Sequence, residues 1–371
     1  MRIVVDYRPA LRARTGVGEY IHQVVNALTT SGRQDAITAF SSSWKDRPEL
    51  AGELPGVRVV DRRVPVRVLN AAWHRLGWPP VEALAGGVYD VAHSPHPLLL
   101  PTRSAAQVVT VHDLHFMTHP ERTSHEMRRD YPPLAAAHAR RADGIIVSSK
   151  FAATELGRAF EVPLHKIAVC PAGTPAWAHK VQGGDPNGYL LSLGTLDARK
   201  NIEGLLEAYG QLLARHAALP RLVVAGGAGP DAGPWLQRMQ QPPLAGHVDY
   251  LGYVTADRRA ELLRGARFLL MPSFEEGFGL PALEAMAAGV PVIASHRGSI
   301  PEVVGDAGIL IDPADPSALG AAIESAMADA ALWPTLRQRG LARAARFTWE
   351  QTARDVRRAY EAAILSHAHR H

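Results

Sequence analysis

Cysteine is almost absent from this chain of 371 residues: Cys170 is the single one. One cysteine excludes an intramolecular disulfide and any Cys-x-x-Cys metal knuckle, and it fits a reducing compartment. No run of eighteen apolar residues occurs, so nothing reads as a transmembrane helix. Met1–Asp6 is a short strand-like run without the long apolar segment of a secretory signal, so the cytoplasm is the expected location. Several chemical signatures are missing as well. There is no Gly-x-Ser-x-Gly elbow, no P-loop, and no Asp-x-Asp after a strand that would bridge a diphosphate through a metal. Basic stretches are not interleaved with aromatics, which argues against nucleic acid as a partner.

What is present is the composition of a globular protein, 47% apolar and 20% charged. The length exceeds what one hydrophobic core organises, so two domains are expected. The formal charge of +4 is uneven: residues 1–175 hold 21 Lys and Arg against 16 Asp and Glu, the remainder 19 against 20. Arg12, Arg14, Arg62, Arg63, Arg67, Arg128, Arg129, Arg140 and Arg141 carry the excess. Either these are solvated faces, or the first half meets anionic phosphates or a membrane surface.

Short apolar runs alternate with helical spacing along the whole chain, the pattern of parallel βαβ units. Strands are expected at Arg2–Asp6, Ala36–Phe40, Val57–Asp61, Tyr89–His93, Gln107–His112, Gly144–Ser148 and Lys166–Cys170. Residues 171–188 lack periodicity, are rich in Pro and Gly, and read as a linker. A second series follows at Tyr189–Leu193, Arg221–Ala225, Val248–Leu251, Phe268–Met271, Val290–Ala294 and Gly308–Ile311. The expected fold is therefore α/β, two doubly wound Rossmann-like domains facing a central cleft, over residues 1–175 and 176–348. Residues 349–371 hold a helix of mixed charge.

Chemistry concentrates where strands give way to helices, the carboxyl edge at which open α/β sheets bind ligands. In Pro272–Glu284, Glu276 and Glu284 bracket a turn, Gly277-Phe278-Gly279-Leu280, ahead of an Ala-rich helix whose backbone N–H groups suit an anion. Glu284 is the one charge in PALEAMAAG and must find a partner, for which a ribose diol is suited. Gly194 ends the first strand of the second series, and Arg199-Lys200 before the next helix suit a diphosphate. The plain alternative is a surface Arg-Lys pair. Gly16 and Gly18 precede a helix expected over Glu19–Thr30 and would let a ligand approach the backbone; a third glycine is missing, so NAD is not expected. His112 closes a strand, either packed or facing the cleft. His112, His115 and His119, like His93 and His96, lack a carboxylate-His-Cys set at ligand spacing, so no metal site is expected.

These residues resemble glycosyltransferase family 4, retaining enzymes of the GT-B fold. The likeness lies in Gly194–Asn201, in Glu276-Gly-Phe-Gly-x4-Glu284, in Glu284-Ala-Met-Ala-Ala-Gly-Val-Pro-Val, and in Gly298-Ser-Ile-Pro-Glu-Val-Val-Gly-Asp-Ala-Gly. Gly16-Val-Gly18 and Val111-His-Asp-Leu also match, so the resemblance covers essentially the whole chain. Within the family, TVHDLHFMTHPE and SHRGSIPEVVGDAG look most like bacterial mannosyltransferases of polysaccharide assembly. The resemblance implies a metal-independent, cofactor-free hexosyltransferase that uses a nucleotide sugar, GDP-mannose in the nearest case. Its acceptor would be a glycan or polyprenyl-linked glycan, reached by peripheral contact with an anionic membrane at the inner face of the plasma membrane. Arg199 and Lys200 would bind the diphosphate and stabilise the departing nucleotide. Glu284 would hold the ribose, and Glu276 with Gly277–Gly279 the donor sugar. Gly16 and Gly18 would give the diphosphate or acceptor room, His112 would contact the sugar and position the acceptor, and the last helix would cross back onto the first domain. The rival readings are a non-catalytic sugar-nucleotide or glycan-binding protein and a GT-B sugar-nucleotide epimerase.

Overall fold

The computed structural model describes residues 1–11, 16–32, 34–42, 53–118, 131–181, 183–216 and 218–370. Arg12, Arg14, His119, Arg128 and Arg129 lie outside the described residues, as does the side chain of His115. The chain divides into two units: Met1–Gly173 with Thr348–His371, and Thr174–Phe347.

The first unit is a sheet of seven parallel strands in the order β3-β2-β1-β4-β5-β6-β7. They are β1 (Arg2–Asp6), β2 (Ala36–Ser42), β3 (Arg58–Arg62), β4 (Val91–Ser94), β5 (Ala106–Val111), β6 (Gly144–Val147) and β7 (Ile167–Val169). Runs such as Ile3–Val5 and Ile145–Val147 are wholly buried because helices cover both faces of a parallel sheet. One apolar layer gathers Leu69, Trp73 and Val81 from the helices Val66–Leu76 and Val81–Ala85 against Val4 and Phe40. The other packs Ala135, Ala139, Leu156 and Phe160 against Val109, Ile145 and Val147.

The Trp349–Ala368 helix lies within this unit, against the Gly16–Thr30 helix and strands β5 and β6. Thr348 starts it as N-cap, its side chain accepting from the Gln351 N–H. Val356, Ala359, Tyr360 and Ala363 recur at helical spacing and form its buried stripe. The Tyr360 hydroxyl is 2.8 Å from His93 Nδ1, and His93 Nε2 is 2.7 Å from the Thr110 hydroxyl. His93 is thus a saturated core histidine tying β4 and β5 to the final helix.

The second unit is a sheet of six parallel strands in the order β10-β9-β8-β11-β12-β13. These are β8 (Tyr189–Leu193), β9 (Leu222–Ala225), β10 (Val248–Tyr250), β11 (Ala266–Met271), β12 (Val292–Ser295) and β13 (Ile309–Ile311). In each sheet the order reverses once, between β1 and β4 and between β8 and β11, and ligands of open α/β sheets settle at that reversal.

Two expectations need correction. Gly16 and Gly18 do not precede the helix but form its first turn, since it runs Gly16–Thr30. Residues 171–188 are not free of regular structure: Ala176–Lys180 is a helical turn with Ala178 buried, opened by Pro175, whose fixed φ suits a helix start. Arg2–Asp6 and Tyr189–Leu193 have the expected ends, and the other strands differ from theirs by at most two residues.

Candidate active site

The reversal between β8 and β11 brings the two signature stretches of the second unit together. After β8 the chain makes a 3₁₀ turn, Ala198–Lys200, which Asp197 caps by accepting from the Arg199 N–H at 2.9 Å. Asn201, at positive φ, caps the following Ile202–Arg215 helix through Gly204 N–H and donates to Pro313 O at 2.9 Å. The turn is tied to the loop after β11 by the Phe274 N–H, which donates to Arg199 O at 2.7 Å. Arg199 and Lys200 are therefore fixed on a doubly capped turn rather than carried on a free loop.

Both cations converge on Glu276. Lys200 Nζ forms a short ion pair with its Oε1, Arg199 Nη1 lies 3.4 Å from Oε2, and the Ser273 hydroxyl donates to Oε1 at 2.8 Å. The Lys200 stem lies over Gly194, where an added Cβ would meet Lys200 Cε at 3.3 Å. Ser299 holds the Glu276 backbone, donating to its carbonyl at 2.8 Å. Burial alone would raise the Glu276 carboxyl. The charges of Lys200 and Arg199 and hydrogen bonds from Lys200 and Ser273 outweigh it, so its pKa lies below the ordinary glutamate value. The site holds a fixed anion between two fixed cations.

The turn Gly277–Gly279 leads into the Leu280–Ala287 helix with Gly279 as its N-cap. At φ +103° Gly279 occupies a conformation that side chains resist, which explains glycine there. The Phe278 ring does not face outward. It is buried edge-on to Phe347, centroids 6.0 Å apart, so only its backbone is free to serve a ligand. Glu284, buried one turn into the helix, already has a protein partner: Arg259 Nη1 donates to its two oxygens at 2.9 and 3.1 Å. Arg259 also lies 5.8 Å from the Trp177 ring centroid, and its Nε is buried without a hydrogen-bond partner among the described residues. Arg259 is not among the residues expected from the sequence. A signal existed, since Arg259 stands four residues before buried Leu263 and so on the inward face of the Ala256–Arg264 helix.

In the first unit, His112 follows β5 directly. Tyr20 meets it edge-on with ring centroids 5.0 Å apart, and the Tyr20 hydroxyl donates to Cys170 O at 2.9 Å. His112 Nε2 is buried and has no hydrogen-bond partner among the described residues. Burial pushes the imidazole down to about 4, against a weaker pull from Asp113, so it is neutral at physiological pH. The two helix-start glycines differ. A Cβ on Gly16 would meet nothing within 4 Å among the described residues, whereas one on Gly18 would strike Pro9 O at 2.6 Å. Gly18 therefore serves the close packing of the Arg8–Ala10 turn on the helix, and open space is found only at Gly16.

Known proteins resemble this chain along its length. Residues 187–329 match the family described as glycosyl transferases group 1, and residues 14–176 match glycosyltransferase family 4. The chain is 32% identical over 384 residues to O-antigen chain mannosyltransferase B of Escherichia coli, covering 97% of this chain and 100% of that one. Among solved structures, sucrose-phosphate synthase from Thermosynechococcus elongatus superposes with a TM-score of 0.76 at 24% identity, covering 97% of this chain and 98% of that one. Anabaena HepE in complex with UDP and glucose superposes at 0.71 and 17% identity, covering 96% and 98%. These likenesses identify the fold as GT-B, two parallel-sheet Rossmann-like domains.

Proposed function

The chain belongs to glycosyltransferase family 4 and is a glycosyltransferase of glycan synthesis; from that premise we propose that it moves mannose from GDP-mannose to a glycan or polyprenyl-linked glycan acceptor, retaining configuration and using no metal ion. One observation carries the reading: Glu276 held by Lys200 and Arg199 where the sheet order reverses. A nucleotide-sugar donor brings a diphosphate, a sugar with hydroxyl donors and a ribose diol, and this set offers a counterpart to each.

Arg199 and Lys200 bind the diphosphate. As the bond to the sugar breaks, charge grows on the leaving nucleotide, and two cations already fixed in place stabilise it without reorganising. Lys200 has three N–H donors and Arg199 five, so each can hold a phosphate oxygen while keeping Glu276. Glu276 accepts from donor-sugar hydroxyls, with the backbone of Gly277, Phe278 and Gly279 and the start of the helix at Leu280 beside it. Gly194 leaves room for the Lys200 stem, and Glu284 holds the ribose. His112, as a neutral imidazole whose Nε2 has no hydrogen-bond partner among the described residues, contacts the donor sugar and helps position the acceptor. Gly16 leaves the backbone open to the diphosphate or acceptor.

Mannose rests on the name of the Escherichia coli relative, and a UDP-sugar is the rival donor because HepE was solved with UDP and glucose. Thermal-shift screening against GDP-mannose, UDP-glucose and dTDP-sugars, followed by nucleotide release in the presence of a crude lipid extract, tests both. Stabilisation by GDP-mannose with acceptor-dependent GDP release is expected. Stabilisation by UDP-glucose alone would move the donor to uridine. A donor isomerised without any acceptor would make the protein an epimerase.

A further inference from the structure

We propose that the ring of Phe274 is the platform on which the hexose of the donor stacks. The inference rests on the nucleotide-sugar reading given above and names how the sugar ring itself is held. Phe274 stands in water where its neighbours do not. Over residues 265–295, which hold β11, the loop after it, the Leu280–Ala287 helix and β12, it is the one exposed residue, at 42%. A lone apolar side chain on an outer surface needs no explanation. This one lies at the carboxyl end of β11, two residues from Glu276, where the sheet order reverses.

The loop that carries the ring is fixed from both sides. Toward β8, the Phe274 N–H donates to Arg199 O at 2.7 Å, so Phe274 and the cationic turn form one hydrogen-bonded unit. Toward β12, the Ser299 hydroxyl donates to Glu276 O at 2.8 Å. Gly298 comes so near that a Cβ there would stand 3.3 Å from both the backbone N and O of Glu276. Phe274 stacks on no other ring and on no cation among the described residues. With its backbone already held and only two side-chain torsions to fix, it loses little freedom when a ligand covers it. The other aromatic of the loop, Phe278, cannot serve, because its ring is buried against Phe347.

The chemistry of the donor leaves a place for such a group. Arg199 and Lys200 answer the phosphates, and Glu276 answers hydroxyls. A hexopyranose also carries a patch of C–H bonds that its hydroxyls leave bare, and hydrogen bonds do not cover it. The face of an aromatic ring is negative and attracts C–H groups, and small-molecule sites combine aromatic walls with a few fixed polar groups. An acceptor sugar is the rival occupant. Placement favours the donor: Phe274 is bonded through its backbone to Arg199 and lies two residues from Glu276, the groups on either side of the donor hexose.

The test compares nucleotide with nucleotide sugar by calorimetric titration of the full chain, GDP against GDP-mannose and, in parallel, UDP against UDP-glucose. The ratio of the two Kd values isolates the sugar. Phe274→Ala should weaken the nucleotide sugar about 2- to 12-fold, the worth of one aromatic contact, and leave free nucleotide bound as in wild type. Unchanged nucleotide binding in the same samples shows that the variant is folded. Phe274→Tyr should restore the wild-type ratio, and Phe274→Leu should restore it only in part, since leucine covers area without a flat face. An equal loss for nucleotide and nucleotide sugar overturns the proposal and makes Phe274 a support of the cationic turn. Unchanged donor binding with a raised acceptor KM overturns it too, and assigns the ring to the acceptor. Wild type that binds no nucleotide sugar refutes the donor reading and this proposal with it, whereas wild type and Phe274→Ala binding the sugar donor equally refute this proposal alone.

Discussion

Replacing Lys200 by alanine separates chemistry from stability in the second unit. Lys200 Nζ is the nearest cation to Glu276, and both side chains are largely buried, 11% and 7% exposed. Removing one partner of a fully buried ion pair costs about 3–5 kcal/mol, because the other charge is left uncompensated. Here the loss is partial: Arg199 Nη1 remains 3.4 Å from the carboxylate and the Ser273 hydroxyl 2.8 Å. About 1–2 kcal/mol is therefore expected, a fall in melting temperature of roughly 2–8 °C for a unit of this size. The effect on transfer should be far larger. A fixed group that stabilises leaving charge is worth about 2.7–4 kcal/mol in the transition state, so kcat should drop about 100- to 1,000-fold. Nucleotide release under donor saturation measures it, with calorimetry on the same sample. Near wild-type turnover would refute the diphosphate assignment. A melting temperature lowered by much more than the expected range, with activity lost in proportion to folded protein, would make Lys200 a structural counter-ion instead.

Three further outcomes are expected. Arg259→Leu should raise the donor KM more than it lowers kcat, because Glu284 loses the cation that bonds its two oxygens; steady-state kinetics with Arg259→Lys as partial rescue checks it, and an unchanged KM counts against Glu284 as the ribose holder. Burial holds His93 down to about 3 and His112 and His138 to about 4, so between their unfolded value near 6.5 and those values only the unfolded chain takes up protons. Stability is thus present above about pH 6.5 and lost as pH falls, at about 1.4 kcal/mol per pH unit per histidine; denaturant melts at pH 7 and 5 should show a loss that shrinks by roughly 2 kcal/mol in His93→Asn. Gly18→Ala should destabilise the first unit by about 1–3 kcal/mol, since its Cβ would strike Pro9 O; Gly16→Ala meets no neighbour among the described residues but is strained at φ +26° by about 1–2 kcal/mol, and should affect catalysis only if its open space receives a ligand; melting curves and kinetics of the pair decide.

The strands were legible because a parallel sheet covered on both faces writes itself as short apolar runs, and each expected run became a strand with ends shifted by at most two residues. The partners of the site were not. Glu284 read as a charge in need of a partner and Glu276 as an acceptor for a sugar, but their protein partners stand 25 and 76 residues away and depend on which strands become neighbours. Arg199-Lys200 was found because it carried a recognisable local pattern; Arg259 carried none beyond its helical phase. Gly18 misled for a similar reason. Glycine at a helix start suits ligand approach and close packing alike, and only the Pro9 carbonyl beside it separates the two.

The charge arrangement also decides what Glu276 is able to do. A general acid or base works best with a pKa near the operating pH, which for a carboxyl means isolation from cations or closeness to another anion. Glu276 is in the opposite situation: two cations and a hydroxyl donor hold its pKa below the ordinary value. As an acid it has no proton to give at neutral pH, and as a base it is too weakly basic to take one efficiently. What remains is acceptance of hydrogen bonds from a neutral partner, for which a fully ionised, rigidly held carboxylate is well suited. Lys200 and Arg199 retain N–H groups beyond those that bind Glu276, so an anion entering the site adds to the network without displacing the carboxylate. Glu276→Gln then becomes the informative substitution. It keeps one acceptor oxygen but releases both cations from their anion, so it should tighten free diphosphate while weakening the intact sugar donor. A proton-transfer residue would instead show wild-type donor binding with turnover lost.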